Sequence, residues 1–334
     1  MSKFSYIIGR LGKLNYRAFV ESAIYIKKKS GKAVLPVMAD MVYCGAKYGA
    51  GYCDYRLFRF DELTREERKT YITRQMNDRI VRKLNSREFY HYFDDKADFA
   101  EKFSAFTGRE ILPLKNADKR AVDEFLQRHN SVLLKPADGK CGKGIDKLDA
   151  DNPTEIYDAI GKNFVLEECL VQHEKLSELY PDGVNTIRVV TMLKNGEVHI
   201  PFCFLRIGSK GSFVDNFNSH GLLCPVDVKT GITSDFACTK DNEIFENHPD
   251  TGVPTKGFQI PEWRDVIDMC RTAAKVVPEM GYIGWDVCVT PGGAVLIEGN
   301  NLPGYDVLQM PAHRHGEKVG KRGVVEAIFP GIFD

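Results

Sequence analysis

Neither sign of charge is in excess in this chain: 46 lysines and arginines face 46 aspartates and glutamates, a formal net charge of zero at pH 7. A nucleic-acid binder usually shows its binding face as a basic surplus, so no nucleic-acid partner is expected, although a local basic patch can sit inside a neutral total. The nine cysteines are odd in number and have no CxxC or CxxxC spacing. That argues against a disulfide framework and against a zinc site, and they read as reduced thiols of a cytoplasmic protein, mostly core filler. No run approaches the ~18 consecutive apolar residues of a membrane span, so no transmembrane segment is expected. The N-terminus carries Lys3, Arg10 and Lys13 without the apolar segment and cleavage site of a signal peptide. Internal repeats, low-complexity linkers and long disordered tails are also lacking. What is left, at 334 residues with 43% apolar and 28% charged, is a folded protein with a sizeable core in two or three lobes.

The first ninety residues read as helical. Phe19, Val20, Ala23 and Ile24 recur at helical spacing, followed by Lys27, Lys28 and Lys29. A membrane-surface helix is one reading; a packed helix whose basic end suits its dipole is the preferred one. Residues 61–85 read as one or two charged surface helices, and Asp94 and Asp95 offer an N-cap for a helix from Lys96. After Ser131 the texture turns to strands: 132–134, 145–148, 164–168, and a hairpin of 185–193 with 198–207 around Lys194-Asn195-Gly196. Residues 226–236 repeat that pattern, turning at 229–231. Pro261 opens an amphipathic helix with Trp263, Val266, Ile267, Cys270, Ala274 and Val277 inward, and strands 282–290 and 294–298 flank Pro291-Gly292-Gly293. The fold class is α+β with mainly antiparallel sheets.

Four sets of residues carry chemistry. In LLKPADGKCGKGI, Lys135 ends a strand and Gly139, Gly142, Lys143 and Gly144 follow. Glycines let backbone N–H groups approach phosphate oxygens, and lysines add positive charge. The spacing fits neither a P-loop nor a dinucleotide fingerprint, and a plain glycine-rich hairpin turn is equally compatible with this motif alone. In FVLEECLVQHE a strand runs into Glu167, Glu168 and Leu170, with Glu174 downstream. That pattern suits an adenine slot with a ribose carboxylate, or simply solvated acids after a strand. In GWDV and LIEGNNLPG, Glu298 and Asn300 lie two apart on a strand, so they share a face, and Asp286 sits on the preceding strand. Two carboxylates and an amide, with phosphate and water completing the shell, make a magnesium–nucleotide arrangement. Core-type neighbours Trp285, Val287 and Leu296 disfavour a surface acidic cluster. Lastly, Arg206 continues the strand face of Val198, Ile200, Phe202 and Phe204, and Arg188 lies on the partner strand. Each suits a structural ion pair; together, opposite a metal cluster, they suit clamps on a transferring phosphoryl group.

Taken in order, these elements resemble the ATP-grasp superfamily, and within it the sugar-transfer-associated ATP-grasp family, over about residues 32–311. The resemblance implies an ATP-grasp fold, two α+β lobes gripping ATP between antiparallel sheets after a helical region. The divisions would be 1–90 (helical), 91–166 (the lobe with the glycine-rich loop) and 167–334 (the lobe with hinge and metal site). It implies Lys96 and Lys135 on the ATP phosphates, the loop 139–144 closing over them, Glu167, Glu168 and Leu170 against adenine, and Glu174 on the ribose. Asp286, Glu298 and Asn300 would hold Mg2+, with Mn2+ as an alternative, and Arg188 and Arg206 would serve the phosphates catalytically. A segment with Asp215, Asn216, Asn218 and His220 would line the acceptor side. Asp95 stands where asparagine is more usual, and His220 where glycine is.

The implied reaction activates a carboxylate as an acyl phosphate and passes it to an amine or thiol, on a saccharide or amino-acid substrate of surface-polysaccharide biosynthesis. The chain shows no GxSxG elbow and no cysteine beside a clear base, and His173 and His220 read as polar contacts, not general bases. The rivals are a kinase of the same fold with Asp215 as base, and a nucleotide-binding protein without catalysis. A homodimer is compatible with the resemblance.

Overall fold

The computed structural model describes residues 15–139, 144–213, 221–314 and 316–334. Gly142, Lys143, Asp215, Asn216, Asn218 and His220 lie outside the described residues. Contacts divide the chain into two units. The first holds the described residues up to Lys83 together with Lys240–Glu243 and Gly304–Asp334, and the second holds Leu84–Thr239 and Ile244–Pro303.

The first unit is helical. Asn15 Oδ1 accepts from the Ala18 N–H at 3.1 Å and starts α1 (Tyr16–Ser30), which Gly31 ends at φ +74°. Its packed stripe is Phe19, Ser22, Ala23 and Ile26. The expected members Val20 and Ile24 are instead each 39% exposed, because the core lies on the 19–23–26 side of the helix. α2 (Val34–Tyr48), within the stretch read as helical but given no bounds there, adds Val37, Met41, Cys44 and Tyr48 to the same core as Tyr55, Phe58, Phe60 and Tyr71. The charged stretch 61–85 contains a short helix, Arg65–Lys69, and α3 (Arg74–Leu84), separated by the buried Tyr71, Ile72 and Thr73. It is not solvated throughout: Arg68 is buried and donates to both Asp40 oxygens (2.8 and 2.6 Å) and to the Phe60 carbonyl. Gly304–Asp334 packs with this unit, where Gln309 accepts from the Ile72 N–H at 2.8 Å and donates to its carbonyl at 3.0 Å.

The second unit carries both sheets. Asp95 caps α4 (Lys96–Lys102), accepting from the N–H groups of Ala97 and Asp98. β1 (Ile111–Pro113), β2 (Ser131–Pro136), β3 (Asp146–Asp149) and β4 (Phe164–Glu168) form an antiparallel sheet in the order β1-β4-β2-β3. Its core includes Leu114, Val122, Phe125, Leu134 and Leu166. The larger sheet has seven strands: β5 (Thr186–Lys194), β6 (Glu197–Ile207), β7 (Leu222–Pro225), β8 (Ala237–Cys238), β9 (Ile244–Phe245), and, after α5 (Trp263–Ala273), β10 (Tyr282–Thr290) and β11 (Gly293–Asn300). Their order is β11-β10-β5-β6-β7-β8-β9. The β5–β6 hairpin turns at Asn195 (φ +51°) and Gly196 (φ +81°), the paired positive φ of a tight hairpin. α5 packs Val266, Ile267, Cys270 and Ala273 on this sheet.

Two expectations need correction. Residues 226–236 form isolated bridges, Val226 to Thr233 and Ile232 to Gln259, in place of paired strands, because Asp227 accepts from Lys229 and Thr230 and closes the chain into a turn. α5 begins at Trp263, not Pro261, because Glu262 sits at φ +47° outside the helix.

Candidate functional site

The site lies where the two sheets of the second unit present their charged residues. On the larger sheet, Glu298 is the register partner of Asp286, and Asp286 is the partner of Arg188. Arg206 lies on the next strand, opposite Thr186, two residues from Arg188. The result is one row across β11, β10, β5 and β6 with two acids followed by two arginines. A bulge helps to set it: β6 spends three residue steps, His199 to Phe202, against two on β5, Met192 to Val190. Val198 and Ile200 therefore pack on the core with Cys203 and Leu205, while Arg206 faces the site. The uninterrupted stripe from Val198 to Arg206 read from the sequence does not exist, since the extra residue switches the face midway. A second bulge, between Asp286/Val287 and Glu298/Leu296, ends the acidic face at Glu298.

Asp286 is buried. The Arg188 guanidinium holds both its oxygens, with Nη2 to Oδ2 at 2.9 Å and Nε on Oδ1, and Arg206 joins at Oδ2. Burial alone would raise this carboxyl, but the two guanidinium groups outweigh it and hold it far below the usual carboxylate range. Glu298 has the opposite environment. Burial and the facing Asp286 charge push its carboxyl up, and Asn300 Nδ2 donates to it at 3.1 Å and to Asp286 at 3.4 Å. Gly284 is required here: a Cβ would stand 2.9 Å from Pro303 Cβ and 3.0 Å from Arg188 Cδ, so Arg188 runs through the space a side chain would fill.

On the smaller sheet, Lys135 Nζ donates to Glu167 Oε2 at 2.7 Å, and Arg109 Nε reaches the same oxygen at 3.0 Å. Burial opposes the charged form, yet the two cations bring the Glu167 carboxyl down to about 2. Arg109 was not anticipated. Its guanidinium also donates to the carbonyls of Leu296 (2.7 Å) and Ile297 (3.0 Å), pinning β4 to the strand that carries Glu298. Only its place between a helix end and a short strand marks it in the sequence, too little to single it out.

Lys96 Nζ donates to the carbonyls of Pro136 (3.0 Å) and Gly139 (2.6 Å) at the root of the glycine-rich loop. Burial pulls its ammonium down, while the Glu298 charge acts to raise it, so Lys96 stands within electrostatic reach of the acid on the other sheet. Gly144 has φ +69°. Glu168 accepts from the Glu110 N–H at 3.0 Å, Leu170 is half-buried, and the next residue, Val171, is 72% exposed. Glu174 is exposed at the start of a short helix, Glu174–Leu179, that His173 caps through Nδ1. His173 thus has a structural task.

The residues fit a divalent cation. Glu298, pushed up by the facing Asp286 and next to the Asn300 amide, would be relieved by a cation, whereas Asp286 already has both oxygens on guanidinium groups and would share them with it. Among the described residues no group of three or more His, Cys, Asp or Glu side chains is placed to hold a metal, so the candidate set depends on Asn300.

Two antiparallel sheets, one carrying Lys135 before a glycine-rich stretch and the other carrying paired acids, have the layout of an ATP-grasp fold. Residues 155–317 match the model of the family described as sugar-transfer associated ATP-grasp. Among curated proteins, the chain is 29% identical over 129 residues to a glutathione synthetase of Neisseria meningitidis, covering 37% of this chain and 38% of that protein. Among solved structures, it is similar to the ATP-grasp ligase PsnB complexed with its minimal precursor (15% identity, TM-score 0.44, 73% of this chain and 62% of that one). The D-alanyl-alanine synthetase A of Vibrio cholerae is similar at 16% identity and TM-score 0.41, over 73% of this chain and 66% of that one. The chain thus spans well under half of the glutathione synthetase and less than two thirds of PsnB.

Proposed function

We propose that the chain is an ATP-dependent carboxylate–amine or carboxylate–thiol ligase that works through an acyl phosphate on a sugar-linked or amino-acid substrate. The observation that carries this reading is the row Glu298–Asp286–Arg188–Arg206, with Lys135 on the smaller sheet and Lys96 at the start of α4. It offers negative charge for a cation beside positive charge for phosphates. Such a site works by positioning and charge neutralisation.

In this reading Asp286, Glu298 and Asn300 hold Mg2+, which supplies neutralisation of the phosphate charge when bound. Lys96 and Lys135 contact ATP phosphates, Glu167 aims Lys135 through its hydrogen bond, and the apolar Leu170 and Val171 offer the adenine a surface. Arg188 and Arg206 steady the transferring phosphoryl group, locked in place by Asp286. The test is magnesium-dependent phosphate release from ATP over pooled sugar acids and amino acids, with and without amines. Release that requires both a carboxylate and an amine is expected. Transfer of the phosphate to a hydroxyl instead would make the protein a kinase.

Two substitutions test the parts separately. Lys135→Ala should weaken ATP binding by about tenfold, the scale of one charge-assisted contact, with the fold retained because Arg109 still neutralises Glu167. Unchanged nucleotide affinity by calorimetry would remove Lys135 from the phosphate site. Gly284→Ala should lower turnover by roughly 10- to 100-fold, because its Cβ displaces Arg188 and misplacement on the ångström scale costs that much. Parent-like kcat in this variant would show that Arg188 has no part in the chemistry.

A further inference from the structure

The basic residues of this neutral chain are unevenly placed. In sequence, the first 32 residues hold eight lysines and arginines against one glutamate, a local excess of the kind that marks an anionic partner. Lys27, Lys28 and Lys29 are exposed at the end of α1, and Lys27 and Lys28 make no ion pair with any described residue. Immediately beyond the Gly31 turn, α2 turns Val37, Met41, Cys44 and Tyr48 inward. Its opposite side, Leu35, Ala39, Val42 and Ala46, is also apolar and fully outward, with Leu35 77% and Val42 53% exposed. These positions follow a helical spacing, and no charged residue interrupts them. The only acid of α2, Asp40, is held by Arg68 and Tyr55. On α1, Val20 and Ile24 add exposed apolar surface.

We propose that the α1–α2 hairpin is a docking surface for an anionic lipid bilayer, on which the protein sits peripherally. An interfacial helix needs an apolar face to enter the headgroup boundary and cations to meet anionic headgroups, and this hairpin has both. No helix of the described residues is long and apolar enough to cross a membrane, so the contact lies on the surface. A polyanion such as nucleic acid would use the lysines but leave the α2 stripe in water. A second copy packed about a two-fold axis would cover the stripe but bring like-charged lysines together. Only the lipid surface satisfies both features. The inference does not depend on the ligase reading.

The test is co-sedimentation of the full chain with phosphatidylcholine vesicles, with and without phosphatidylglycerol, at low and high salt. Binding should require phosphatidylglycerol and weaken with salt. The triple variant Lys27→Gln/Lys28→Gln/Lys29→Gln should lose roughly a hundredfold in affinity, and Leu35→Gln/Val42→Gln about tenfold. Both change exposed side chains outside the site, so phosphate release from ATP and the thermal melt should stay at parent values. Equal binding to neutral vesicles, or binding that neither variant weakens, would overturn the proposal. So would absence of vesicle binding, whether the hairpin then captures a polynucleotide or self-associates through Leu35 and Val42.

Discussion

Glu298→Gln is expected to lower magnesium-dependent phosphate release by roughly a thousandfold or more, while leaving the melting temperature at neutral pH unchanged or higher. The first effect follows from removing a cation ligand, since metal stabilisation of transferring charge is worth several kcal/mol. The second follows from the environment of Glu298. Burial and the facing Asp286 raise its carboxyl, so the folded state holds that proton more readily than the unfolded chain does. Ionised Glu298 therefore costs stability. The cost is absent below the ordinary glutamate range near 4.5 and sets in as pH rises through the raised folded value. The amide never bears it, and can still meet Asn300. Melting curves of parent and variant should coincide in acid and separate, with the variant ahead, toward neutral pH. Retained phosphate release would sink the assignment of the metal site, and a lower neutral-pH melting temperature would make Glu298 a structural acid.

The relative placement of the candidate acids was legible in the sequence because strand periodicity carries it. The spacing of Glu298 and Asn300 put them on one face, and the structure places Asp286 in register with the first of them. The cap at Asp95, the hairpin at Asn195-Gly196 and the inward side of α5 followed from local chemistry that tertiary context did not override. Asp95 in place of the more usual asparagine makes no difference to that cap, since either oxygen accepts the same N–H groups.

What was not legible depended on long-range packing. A bulge leaves no mark in apolar alternation, so the stripe leading to Arg206 seemed continuous when it changes face. α2 is apolar on two sides and gives no amphipathic signal. Arg68, in a run of charges, is buried because its partner Asp40 comes from a different helix. Arg109 pairs with Glu167, fifty-eight positions away, and with carbonyls of β11. Nothing local to any of these residues distinguishes it from a solvated charge.

Asp286→Asn should abolish turnover as Glu298→Gln does, and should also destabilise the protein by about 3–5 kcal/mol, the scale for breaking a buried ion pair from one side. The amide would leave Arg188 and Arg206 without the carboxylate they share, and with Glu298 as the one acid left on the row. The pH dependence has the opposite sign to that of Glu298. Asp286 is held far below its ordinary value, so its contribution is fully present above the ordinary aspartate range near 3.8 and is lost only as pH falls through the depressed folded value. Parent and variant should differ at neutral pH and converge only in strong acid, as denaturant melts at a series of pH values would show. A variant as stable as the parent at neutral pH would mean that the arginines find other anions, and that Asp286 does not lock the phosphate-side pair. On the proposed reading the two register partners separate two tasks that a shared loss of activity would confound: Glu298 would be held at a cost in stability for the cation, and Asp286 would also support the sheet that carries it.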